Sequence, residues 1–289
     1  MTIKSVLLRL VLILTLIQVI EGPVMSQGRK RKKEKKKIEN TDTLQAYRQF
    51  VSMGNQYKQL PLQMEMEIVR YETVAGINTD TMRARASFYL QEKASYLRIE
   101  DQEQLANDTM LLQISKQAQR MILSRHSQTV AGQLQKLIGW QLRDSSLQQL
   151  AKGYRGIVIS GTDNIDTVRL WNRTNLAGTD KPLDEVEMLY DTRQQRPVQV
   201  ITYLSQLLPL EKELYESWKD DPSKSAALVM KDDKETFVLR IQTTYYRFDR
   251  IDHDPAFVLP VLISDRIVPS SDGTWVPANG YEDYRITRR

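Results

Sequence analysis

The sequence predicts an α+β fold: a large curved antiparallel sheet of about ten strands with a few helices covering its concave side. Three observations carry this. Hydrophobic periodicity is helical near the start of the body and switches to period two; short polar breaks then join successive alternating runs; and helical stretches recur in only two later places.

The first helix takes its caps from Asn40-Thr41-Asp42, and Leu44, Tyr47, Val51, Gly54 and Tyr57 recur at three or four residues to about Lys58, with Pro61 closing the segment. Leu62, Met64, Met66 and Ile68 then alternate with Gln63, Glu65 and Glu67, a strand wet on one face and buried on the other. Met82, Ala84, Ala86, Phe88 and Leu90 repeat the pattern against Arg83, Arg85, Ser87, Tyr89 and Gln91. Further strands are expected at Ser95–Glu100, in the hairpin Met110–Ser115 with Gln119–Leu123, at Ile157–Ser160 with Thr167–Asn172, at Glu185–Asp191 with Val198–Leu204, and along Thr236–Phe248. The later helices are expected at Val130–Leu142, extending toward Leu150, and at Pro209–Trp218, where a proline in the first turn is tolerated.

The first 37 residues give an address. Lys4 leads into an apolar run from Val6 to Ile20, broken by Arg9, and Val24-Met25-Ser26 supplies small residues for cleavage before Gln27. The run is shorter than the roughly 20 residues that span a bilayer. Cleaved export to the periplasm is therefore expected, with a retained membrane anchor as the alternative. Arg29–Lys37 follows, carrying +7 of a total of +5; the first 28 residues carry +1, which leaves −3 for Ile38–Arg289. The division expected is a signal peptide over 1–26, a basic linker over 27–40 and a single domain over 41–289. A mildly acidic body has no footprint for nucleic acid, whereas the basic run could meet an anionic membrane surface. The chain contains no cysteine, so there is no disulfide framework and no lipidation cysteine.

The order of an amphipathic helix, a strand, SFYLQEKASYLRIED from Ser87 to Asp101 and the hairpin TMLLQISKQAQRMILS from Thr109 to Ser124 resembles the opening of the LolA-like superfamily of periplasmic carriers. Ala86 stands where that family usually has a glycine, and Glu92-Lys93-Ala94-Ser95 where it has a proline in the turn. The resemblance implies a half-open barrel enclosing an apolar cavity, which carries lipid-modified or other hydrophobic cargo.

Catalytic motifs are absent: there is no G-x-S-x-G elbow, phosphate loop, G-x-G-x-x-G or H-E-x-x-H. His126 lies at a strand end, and His253 sits in Asp252-His253-Asp254 near Asp249, either a polar turn or a group able to hold a metal or poise a base. The expected chemistry is non-enzymatic, with no cofactor and no metal. Ala256–Ile263, AFVLPVLI, is too apolar for an ordinary exposed loop, and Pro260 bars it from the centre of a sheet; it is an edge strand packed on the body or a flap over a cavity. The residues expected to line a hydrophobic ligand on the concave face are Met64, Met66, Ala86, Phe88, Met110, Leu112, Val200, Leu239 and Ile241. The partner expected is a hydrophobic, lipid or acyl-like ligand or an envelope protein, and the competing reading is an interaction scaffold with a filled core.

Overall fold

The computed structural model describes residues 40–56, 59–74, 77–125, 152–161, 163–176, 178–231 and 235–288. The export segment, the basic run, His126 and the helix expected at Val130–Leu142 lie outside them. Fifteen strands occur among the described residues, against about ten expected. They are β1 (Leu62–Val74), β2 (Ile77–Leu90), β3 (Ala94–Ile99), β4 (Gln102–Asn107), β5 (Met110–Ser115), β6 (Arg120–Arg125), β7 (Tyr154–Ser160) and β8 (Ile165–Asn172). After these come β9 (Asp184–Asp191), β10 (Arg196–Pro209), β11 (Leu228–Lys231), β12 (Glu235–Asp252), β13 (Ile267–Pro269), β14 (Trp275–Pro277) and β15 (Arg285–Arg288).

Thirteen strands join one sheet in the order β15-β6-β5-β4-β3-β2-β1-β12-β10-β9-β8-β7, with β11 on β12; β13 and β14 form a separate ribbon. The sheet is mixed rather than purely antiparallel, because β15 runs parallel to β6. The strands missed in the sequence are β4, whose QEQLAN has little alternation, β11, and the three short C-terminal strands, two of which end in proline.

Among the described residues there are two α-helices. Helix α1 (Asn40–Gln56) forms where the periodicity predicts, but Asn40-Thr41-Asp42, expected as its caps, lie within it. Helix α2 spans only Lys212–Trp218 and buries none of its residues. Pro209, expected in its first turn, instead ends β10 opposite Phe237.

The chain divides into two compact units. Among the described residues, the first comprises those within 40–53, 68–83 and 152–247. Its core joins Ala46 and Tyr47 of α1 to Tyr154, Val168, Leu170 and Met188 of the sheet. Helix and sheet meet at Gly156, where an added Cβ would lie 2.6 Å from Leu170 Cδ2 and 2.9 Å from Ala46 Cβ. Tyr47 donates its hydroxyl to the Tyr154 carbonyl at 2.6 Å, which satisfies both groups inside that core. Burial raises the Tyr47 hydroxyl pKa despite nearby Arg173, so it remains a donor at neutral pH.

Among the described residues, the second unit comprises those within 54–67, 84–125 and 248–288. Cross-strand pairs fix which side chains share a face, because directly opposed residues point the same way. Tyr89 opposes Tyr96, Tyr96 opposes Leu105, Leu105 opposes Leu112 and Leu112 opposes Leu123. This row is the floor of the unit's core. Leu259, Ile263 and Ile267 of the C-terminal segment pack on it.

Candidate functional site

The C-terminal segment leaves β12 through a polar turn. Asp252 accepts hydrogen bonds from Arg250 Nη2 at 2.8 Å and from the Asp254 amide at 3.1 Å, and Asp254 accepts from the Ala256 amide at 2.8 Å. His253 Nδ1 lies 2.9 Å from the Pro61 carbonyl; since a carbonyl only accepts, that nitrogen carries the proton. These hydrogen bonds make Asp252-His253-Asp254 a polar turn. Among the described residues no three of His, Cys, Asp or Glu are grouped to hold a metal.

Beyond this turn, Ala256–Ile263 forms no strand. It crosses the face of β3, β4 and β5, with Leu259 and Ile263 buried and Val258 81% exposed. Four polar contacts tie the segment down. Gln91 Nε2 donates to the Phe257 carbonyl at 3.1 Å, Arg266 Nε donates to Glu103 at 3.0 Å, the Ala278 amide donates to the Arg266 carbonyl, and the Arg285 amide donates to the Gln119 carbonyl.

Glu103 is the anchor. Its side chain is 1% exposed and also takes Lys116 Nζ at 2.7 Å. Burial pushes its pKa up, but the hydrogen bonds and charges of Lys116 and Arg266 outweigh burial and hold the carboxyl below its ordinary value. The Arg266 guanidinium also lies over the Tyr281 ring at 4.8 Å from the centroid. Neighbouring Tyr96 is raised to about 12 by burial and then by the Glu103 charge, so it stays protonated.

Between this segment and the sheet lies a cavity of about 350 Å³. Ala94 of β3, Leu105 and Asn107 of β4 and Met110 of β5 form its floor, and Leu259, Val261, Leu262, Ile263, Ile267 and Trp275 its roof, with Ser264, Val268 and Pro269. Ser95 and Ala106 also border it, but they oppose each other on the other side of the sheet, so it is their main chain that does so. The Asn107 carboxamide oxygen is occupied by the Thr109 amide and hydroxyl and the Met110 amide. The lining is largely apolar and carries no Asp, Glu, His, Lys or Arg side chain.

The nine residues expected to line a ligand do not share one face. Met64, Met66, Ala86 and Phe88 are buried on β1 and β2. Phe88 opposes Leu97, and Leu97 opposes Gln104, a row opposite in direction to the Tyr96–Leu105–Leu112 row. Met110 and Leu112 thus point away from Ala86 and Phe88. Val200 lies in the first unit, against the core beneath α1, whereas Leu239 and Ile241 differ from it in parity across the β10–β12 pair and face the other way. Of the nine, Met110 lines the cavity. The flap reading of Ala256–Ile263 was the signal for the roof; the floor was hidden because β4 does not alternate.

No family model and no curated protein matches the chain. Solved structures that resemble it include an uncharacterized conserved protein from Thermus thermophilus, 6% identical, covering 85% of this chain and 99% of that one with a TM-score of 0.32. A DUF1329 family protein from Desulfovibrio piger is 11% identical over 75% of this chain and 96% of that one, with a TM-score of 0.28. A LolA superfamily protein from Nitrosomonas europaea is 9% identical over 74% of this chain and 94% of that one, with a TM-score of 0.23. With likenesses this distant, the function has to be argued from the chain's own residues.

Proposed function

We propose that this protein is a non-enzymatic, exported binder or carrier of a hydrophobic, acyl-like ligand, and that the ligand occupies the cavity roofed by the C-terminal segment. The observation that carries this reading is an open apolar space of about 350 Å³ with no charged wall, within the roughly 300–1,000 Å³ range of small-molecule sites. The export address in residues 1–26 and the resemblance of Leu44–Ser124 to LolA-like carriers support the same class.

Two tryptophan substitutions test it. Ala94 is half-buried in the cavity floor, so Ala94→Trp fills the space and abolishes binding of a fluorescent lipid analogue with little loss of melting temperature. Ala86 is 2% exposed on the opposite face, so Ala86→Trp overpacks at a cost of about 1–3 kcal/mol without blocking the cavity. A parent protein that binds no analogue, or an Ala94→Trp variant that binds as the parent does, overturns the reading and favours the scaffold with a filled core.

A further inference from the structure

We infer that the ligand is an anionic single-chain amphiphile whose head group is held by Arg125 and Arg288 at the β6–β15 edge of the cavity. This rests on the cavity being the ligand site. Strand register places the two cations. Met110, in the cavity floor, is directly opposed by Arg125 on β6. Leu123, two residues before Arg125 on the same face, is directly opposed by Arg288 on β15. Opposed Cβ atoms lie ~4.5–5.5 Å apart and diagonal neighbours ~7–8 Å, so Arg125 stands one strand beyond the cavity wall with Arg288 diagonal to it.

Both arginines are exposed, and among the described residues neither forms an ion pair. Lys116 and Arg266, which also reach this face, are engaged by Glu103, and Arg98 stands toward the far end of β3 from Ala94 with its Nε on the Glu100 carbonyl. Asp108, in the turn between β4 and β5, shares this end of the strands and pairs with neither arginine. β15 ends the sheet, so no further strand among the described residues covers the pair. Arg120 and Arg285 oppose each other one position out of phase and point to the other face.

The chemistry follows from this division. The cavity walls offer no counter-charge, and an ionised group taken out of water without a partner costs several kcal/mol. The head group therefore stays at the mouth while the chain enters. A guanidinium pairs with carboxylate or phosphate through two parallel N–H bonds, so both oxyanions fit. A volume of about 350 Å³ lies near the lower end of small-molecule sites and suits one chain rather than several.

Titration of the full chain with cis-parinaric acid and with its uncharged methyl ester tests the assignment. The acid should bind about tenfold more tightly than the ester, the worth of one charge-assisted contact. The double variant Arg125→Gln/Arg288→Gln should lose that preference with ester binding unchanged, and Arg120→Gln/Arg285→Gln should keep it. Displacement of the acid by oleate identifies a carboxylate source, and displacement by oleoyl lysophosphatidate a phosphate source. Equal binding of acid and ester by the parent, or a preference that survives in the first double variant, overturns the head-group assignment while the cavity reading stands. Failure of both probes to bind overturns the cavity reading itself.

Discussion

At the scale of single residues, Glu103 shows how a polar side chain becomes part of a core. Its carboxylate is buried and serves two cations from separate parts of the chain, Lys116 beside β5 and Arg266 in the roof. Because its pKa in the fold is lowered, the stability it supplies is complete above the ordinary carboxylate range and is lost as pH falls through the folded value. Glu103→Gln should cost about 1.5–3 kcal/mol at neutral pH, the worth of its charge-assisted bonds, since Lys116 and Arg266 keep some access to water. The mutant's melting temperature should vary less than the parent's as pH falls from the ordinary carboxylate range through the lowered folded value of Glu103. A parallel pH dependence in the two proteins would show that Glu103 does not couple protonation to folding. The same residue explains a gap in the sequence reading. A glutamate amid Gln102, Gln104 and Asn107 reads as solvent-facing, and its partners arrive from 13 and 163 residues away.

At the scale of elements, legibility followed local pattern. Helix α1, the β5–β6 hairpin and long strands such as β2 and β12 carry helical periodicity or alternation, and they form where those signals lie. The end of β10 did not, because a proline adjoining a helical pattern equally suits the last position of a strand. Face assignment failed for a related reason: alternation says that two residues of one strand agree, but only register relates one strand to the next. Thus Phe88 and Leu112 each have the right periodicity and lie on opposite faces. The docking of α1 on the sheet is a close approach that tolerates no added volume at Gly156. Gly156→Ala should therefore destabilise the protein by about 1–3 kcal/mol through overpacking between Leu170 and Ala46. Chemical denaturation checks this, and an unchanged midpoint would mean that helix and strand separate without loss.

At the scale of the whole molecule, charge and apolar surface are divided between different lengths of chain. The run Arg29–Lys37 holds +7 with no apolar residue, while Ile38–Arg289 carries −3 and contains the cavity. With no apolar residue, the basic run is expected to contribute little to folding, whereas clustered bases near an anionic bilayer gain ~1 kcal/mol each. Removing the chain through Lys37 should leave the melting temperature and the affinity for parinaric acid nearly unchanged, while association with phosphatidylserine vesicles falls steeply and the remaining association loses its salt dependence. Cosedimentation at low and physiological ionic strength measures this. If the shortened chain still binds vesicles in a salt-dependent way, the body itself carries the contact, and Arg125 and Arg288 become the first residues to neutralise. If it loses parinaric acid as well, the basic run reaches the cavity and the two functions are one.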